Sequence, residues 1–142
     1  MFAYSSFTYD LMNLETDSFF ELIESYVDDF GKSLSLYNNV LAVGCPYIWA
    51  GFKGGDYHTG GSVDIYDLST YVAGEVYYPI KSISPTFSDM FFGESVSLCN
   101  YSGSLYLAVG SSTAFQNQGA VYLYKQDSIT SSVWNEIQII HS

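Results

Sequence analysis

Arginine is missing from this 142-residue sequence, and only four lysines (Lys32, Lys53, Lys81, Lys125) oppose 15 acidic residues, for a net charge of -11. Such a chain offers no basic footprint to a polyanion, which argues against nucleic acid as a partner. Without arginine it also lacks the planar fork that grips phosphate or carboxylate through two parallel bonds, so anionic ligands are disfavoured. Histidine is nearly absent too: His58 and His141 stand far apart, and no Cys/His cluster has metal-ligand spacing, which speaks against a zinc site. The two cysteines, Cys45 and Cys99, are too few for a disulfide framework and read as small buried hydrophobes. No apolar run approaches the roughly 20 residues of a membrane span. The opening "MFAYSSFTYD" has neither the basic nor the apolar region of a secretory leader, so any export signal lies outside this sequence.

What is present points to sheets. With 48% hydrophobic residues the chain has enough material for a core, and its 14 Tyr, 10 Phe and 2 Trp favour pleated, half-buried surfaces. A repeat sets the organisation. Phe30-Gly31-x-Ser33-Leu34-Ser35-Leu36 returns as Phe92-Gly93-x-Ser95-Val96-Ser97-Leu98 at an offset of 62 (92 minus 30). Leu41-Ala42-Val43-Gly44 returns as Leu107-Ala108-Val109-Gly110 at 66 (107 minus 41), and Gly61-Ser62-Val63 as Gly119-Ala120-Val121 at 58 (119 minus 61). Offsets that change only between matched segments mean insertions confined to loops, as a repeated β-unit tolerates.

The periods inside each unit are those of strands. Leu34 and Leu36, like Val96 and Leu98, alternate with serines; "VLAVG" and "YLAVG" suit a strand buried on both faces; Val63 and Ile65, like Val121 and Leu123, alternate again. A fourth strand follows in each unit, "EVYYPIKSI" and "SVWNEIQII", with Pro79 confining the first of these to an edge. In the last, Val133, Asn135, Ile137 and Ile139 are expected on one face, with Trp134, Glu136, Gln138 and Ile140 on the other. Four antiparallel strands with faces that one unit cannot bury alone describe a propeller blade, and the small serine and alanine positions suit close stacking between blades. The expected fold is thus all-β, with about two and a half blades: a half-blade over 1–29, and full blades over 30–84 and 85–142. In the half-blade, Tyr9-Asp10-Leu11 echo Tyr66-Asp67-Leu68, and "FFELIES" takes the place of a fourth strand, although its spacing also fits a short amphipathic helix.

The run from Phe30-Gly31 through Leu41-Ala42-Val43-Gly44 to Gly61, and its second copy from Phe92-Gly93, resembles the FG-GAP repeat, the blade of integrin α-subunit propellers and of many bacterial surface proteins. Gly44-Cys45-Pro46 stands at the "GAP", and Gly110-Ser111-Ser112 is its altered copy. The resemblance implies an adhesive or structural protein placed extracellularly, on a cell surface or in a virion. The family often carries a calcium loop between its first two strands, but here those loops read "YNNV" and "CNYSGS" with no carboxylate. A hard cation needs about 6–8 oxygens, so calcium is not carried over and no cofactor is expected.

No catalytic constellation emerges. "GGDYHTGG" lacks the Lys-Ser/Thr and the following helix of a phosphate loop, while Asp28-Asp29 and Glu21 with Glu24 read as solvated surface. One connection exceeds what a link needs, residues 44–61, against the usual length of about 4 to 6. Tyr47, Trp49, Phe52, Tyr57 and His58 give it aromatic platforms, with Lys53 and Asp56 as polar handles. It reads as a loop over 45–60 that stacks a carbohydrate or protein ligand, or as a hydrophobic plug or subunit contact. Asn100-Tyr101-Ser102 fits the N-glycosylation pattern in an expected hairpin loop. Cys45 follows a second strand and Cys99 a first, at opposite rims, so no disulfide joins them. A ring closes with about 4–8 blades. Either the chain is a piece of a longer propeller, or self-association or other protein chains complete it, which gives a non-enzymatic assembly module, with a lectin-like or adhesion module as the alternative.

Overall fold

The computed structural model describes residues 26–52, 55–70, 72, 76–85, 91–128 and 131–141. The chain is all-β across them. It forms two four-stranded antiparallel sheets and one three-stranded sheet. The first large sheet has the order β2 (Ser33–Tyr37), β3 (Val40–Cys45), β6 (Ser62–Asp67), β7 (Lys81–Ile83). The second is a meander in chain order of β8 (Ser95–Tyr101), β9 (Ser104–Ser111), β10 (Ala120–Gln126) and β11 (Trp134–His141), with one helical turn over Ala114–Asn117 between β9 and β10. The third sheet places β4 (Tyr47–Phe52) between β1 (Tyr26–Asp28) and β5 (Gly55–Thr59). No helix among the described residues is long and apolar enough to cross a membrane.

The repeated phrases become one repeated device. Asp29 and Gly31, and their equivalents Phe91 and Gly93, all have positive φ (63°, 86°, 70° and 93°). The Gly31 amide donates to the Gly44 carbonyl at 3.1 Å, and the Gly93 amide to the Gly110 carbonyl at 3.1 Å. In both units the amide three residues after the turn's start closes it at 3.0 Å, Lys32 to Asp29 and Glu94 to Phe91. The facing glycines are required as well. A Cβ on Gly44 would strike Ser33 Oγ, and one on Gly110 would strike Ser95 Oγ. Phe-Gly-x-Ser and Leu-Ala-Val-Gly recur together because each occupies space that the other leaves.

The core lies between the two large sheets. Ala42, Val63, Ile65 and Ile83 of the first meet Leu98, Leu105, Leu107, Val109, Tyr122, Tyr124 and Trp134 of the second, with Phe92 wholly buried among them. On β9 and β10 burial alternates strictly, with Leu105, Leu107, Val109 and Ser111, then Ala120, Tyr122, Tyr124 and Gln126 turned inward. Among the strands whose burial is described, β3 is covered on both faces from Ala42 to Cys45. The serines of β2 face the second sheet, where Ser35 Oγ accepts from the Leu98 amide (2.8 Å) and Ser33 Oγ donates to the Gly93 carbonyl (2.7 Å). Small polar side chains therefore sit at the tightest point of the stack, as the alternation suggested.

Four expectations change. The fourth strand of the first unit shrinks to Lys81–Ile83, because Pro79 has no amide to give and the pairing begins after it. On β11 the register slips between Leu123 and Tyr124, which pair with Gln138 and Glu136 and leave Ile137 as an extra residue. The bulge brings buried Trp134 and half-buried Ile139 to one face, where simple alternation separated them. Cys45 is buried but Cys99 is exposed; both are free thiols, as the strand geometry required. Finally, residues 45–60 are not a loop: Cys45 ends β3, and β4 and β5 form an antiparallel hairpin inserted between β3 and β6. The expected half-blade lies mostly outside the described residues, "FFELIES" wholly so, and Tyr26–Asp28 pair with β4 rather than with a large sheet.

Candidate functional site

The residues proposed for ligand stacking are placed on the inserted hairpin. Its register pairs Trp49 with His58, Ala50 with Tyr57, Gly51 with Asp56 and Phe52 with Gly55. A strand alternates its faces residue by residue, so Trp49, Asp56 and His58 hold positions on one face, and Phe52 and Tyr57 on the other. The hairpin register thus spreads these positions over both faces of the two strands. Tyr47 is half-buried and packs edge-on against Phe91, with ring centroids 4.8 Å apart, which ties the hairpin to the second unit's turn. Lys53 lies outside the described residues. Asn100 is not in a loop: it is a half-buried residue of β8 whose Oδ1 accepts from the Gly103 amide at 3.3 Å, while Ser102 and Gly103 make the two-residue turn.

Burial holds one thiol and two phenols of the fold neutral. Burial, then the nearby Asp64 carboxylate, pushes the Cys45 thiol up to about 12, and the same two causes in the same order push Tyr66 to about 12. Tyr124 is raised further, by burial and by Glu136, to which its hydroxyl donates at 3.2 Å. Asp67 is held below the usual carboxylate range by hydrogen bonds from Ser69, whose amide lies 2.9 Å from Oδ1. These shifts follow from packing and turn formation, and none creates a nucleophile at neutral pH. Asp29, one of the two adjacent acids, is an exposed partner of Lys32 at 3.5 Å. Among the described residues no group of three His, Cys, Asp or Glu is placed to hold a metal ion.

Two concavities flank the stack at opposite strand ends. At the Asn38–Asn39 end, a cleft of 520 Å³ opens between the sheets, lined by Tyr37, Asp67, Leu105 and Gln126 among others and by no cation. Gln126 is buried there; its Nε2 donates to the Ser131 carbonyl, and its Oε1 has no partner among the described residues. At the other end, a shallow depression of 610 Å³ on the open face of the second sheet is lined by Ser95, Gly110, Ser112, Gly119, Ala120 and Val121, among others. Composition gave no sign of either. The repeat does account for the depression, because every one of those six positions has its counterpart in the first unit.

Those counterparts are occupied. Ser33, Gly44, Pro46, Gly61, Ser62 and Val63 form the surface on which the Phe92-Gly93 turn sits. The Gly93 carbonyl takes the Ser33 hydroxyl, the Phe91 amide donates to the Pro46 carbonyl at 3.1 Å, and a Cβ on Gly61 would strike the Phe92 carbonyl. Phe92 itself is 0% exposed and Leu98 9%, whereas their equivalents Phe30 and Leu36 are 42% and 60% exposed, with Leu34 at 62%. No family model matches the chain, and no curated protein matches it as a relative.

Proposed function

We propose that this chain is a non-enzymatic assembly module whose two large sheets are FG-GAP-like propeller blades, working in a larger surface, filament or virion assembly outside the cell. The observation that carries this reading is the duplicated Phe-Gly turn: the same positive-φ geometry and the same 3.1 Å closing bond in both units, one of them seated on the neighbouring sheet. A turn that docks each sheet on the one before it is a stacking device, and nothing in it is suited to moving protons or electrons. Two blades do not close a ring of about 4–8, so further blades come from self-association, from other protein chains or from a further segment of a longer chain.

Native mass spectrometry of the purified chain tests this directly. Discrete multimers are expected; a single-chain mass at every concentration counts against self-association. The inserted hairpin favours a second reading, adhesion through its Trp49, Asp56 and His58 positions, since the repeat in the second unit has no counterpart to it. A glycan array probed with the native chain and with Trp49→Ala separates the two. Binding that Trp49→Ala abolishes while the fold persists supports adhesion, and an empty array removes it.

A further inference from the structure

We infer that copies of this chain join head to tail, the Phe30-Gly31 turn and the Leu34/Leu36 strip of one copy docking into the depression around Gly110, Gly119 and Val121 on the second sheet of the next. The inference rests on the assembly reading above and adds to it the partner, the direction and the two surfaces. Its basis is that the chain already contains one complete example of the joint. Phe92-Gly93, Val96 and Leu98 form the inserting half; Ser33, Ser35, Gly44, Gly61 and Val63 form the receiving half, bound by the Ser33–Gly93 and Ser35–Leu98 hydrogen bonds.

Repeat symmetry then supplies a spare of each half. The spare inserting half is Phe30-Gly31, Leu34 and Leu36, whose large apolar side chains stand in solvent. The spare receiving half is Ser95, Ser97, Gly110, Gly119 and Val121; Val121 is 39% exposed where its counterpart Val63 is 0%. The glycines matter most. Gly44 and Gly61 have no room for a side chain because the incoming turn's carbonyls lie against them, whereas a Cβ on Gly119 would meet nothing closer than 3.7 Å. At Gly119 the receiving half leaves open the space that the incoming turn fills at Gly61. Because its two halves lie on opposite faces of one chain, the joint is heterologous, and its repetition produces rings or filaments rather than a two-fold dimer. Several positions differ between the joints: Asp29, Leu34, Ser112 and Ala120 stand for Phe91, Val96, Pro46 and Ser62, Gly119 has a positive φ (82°) that Gly61 does not share, and Asp64 stands where Tyr122 packs on Phe92, at 5.1 Å between ring centroids.

Complementation of two blocked chains tests this. Leu36→Glu spoils the inserting half, and Val121→Trp fills the receiving half; both residues are exposed, and circular dichroism checks that each variant keeps its sheets. Sedimentation velocity is expected to show an assembled native chain, each variant as a monomer, and a 1:1 mixture as mixed dimers no larger than two chains, since only one joint remains intact. Variants that assemble like the native chain, or monomers that stay apart when mixed, overturn the head-to-tail joint while leaving assembly itself standing. A native chain that sediments only as a monomer removes both, and marks the covering partner as a different protein or a further segment of a longer chain.

Discussion

A missing side chain decides more here than most side chains present. Gly44 and Gly110 are repeat equivalents, yet a Cβ on Gly44 meets both the Ser33 hydroxyl and the backbone carbonyl of Gly93, whereas on Gly110 it meets only the Ser95 hydroxyl at close range. A hydroxyl swings aside by rotation; a backbone carbonyl moves only if the sheets part. Gly44→Ala is therefore expected to cost about 1–3 kcal/mol, in the range of core overpacking, and Gly110→Ala under about 1 kcal/mol. Urea unfolding of the two variants measures the difference, and equal losses would refute the account. At Cys45 the thiol is raised from 9.0 to about 12, so between those pH values the unfolded chain releases a proton that the folded chain retains. Stability is full below about pH 9 and falls as pH rises toward 12, with Tyr66 adding to the decline from 10.0 upward. Cys45→Ala should flatten the first part of that alkaline limb in thermal melts at stepped pH, and an unchanged limb would assign the loss to the tyrosines.

Among the elements, β8 and β9 are set by a two-residue turn in which Ser102 (φ 50°) and Gly103 (φ 79°) both take left-handed geometry between paired Tyr101 and Ser104. Serine tolerates that region less well than asparagine, so Ser102→Asn should stabilise by a few tenths to about 1 kcal/mol; a lower melting temperature would contradict the turn. Elements of this kind were legible because their signals are local: alternation in Ser95–Leu98, apolar density in Leu41–Gly44, and the doubled Phe-Gly turn. The hairpin of β4 and β5 was harder to see. Tyr47, Ile48, Trp49 and Phe52 are good strand formers, but Gly51, Gly54 and Gly55 break the period, and the repeat offers no counterpart from which to infer pairing. The bulge at Ile137 left no sequence mark at all, since a register slip depends on how β11 meets β10 and not on its own composition. The split of Trp49, Asp56 and His58 from Phe52 and Tyr57 follows from that hairpin register, which a loop reading does not supply.

At the scale of the whole molecule, charge and shape oppose one another. The open faces offer apolar contact through Phe30, Leu34, Leu36 and Val121, yet each chain carries a net charge of -11. At the joint itself Glu94 lines the depression, while Asp29 beside the inserting turn is paired with Lys32. Copies that approach one another therefore repel over a distance set by the ions around them. The screening length falls from about 10 Å at 0.1 M salt to about 3 Å at 1 M, while the apolar contact is not weakened by sodium chloride. Association should tighten as salt rises, the reverse of an interface held by ion pairs. Sedimentation velocity at the two salt concentrations checks the sign. Glu94→Gln, which takes one negative charge from the edge of the seat, should strengthen assembly at 0.1 M and make it less sensitive to salt. Dissociation at 1 M would mean that ionic contacts hold the copies together, and the apolar joint would then have to be abandoned.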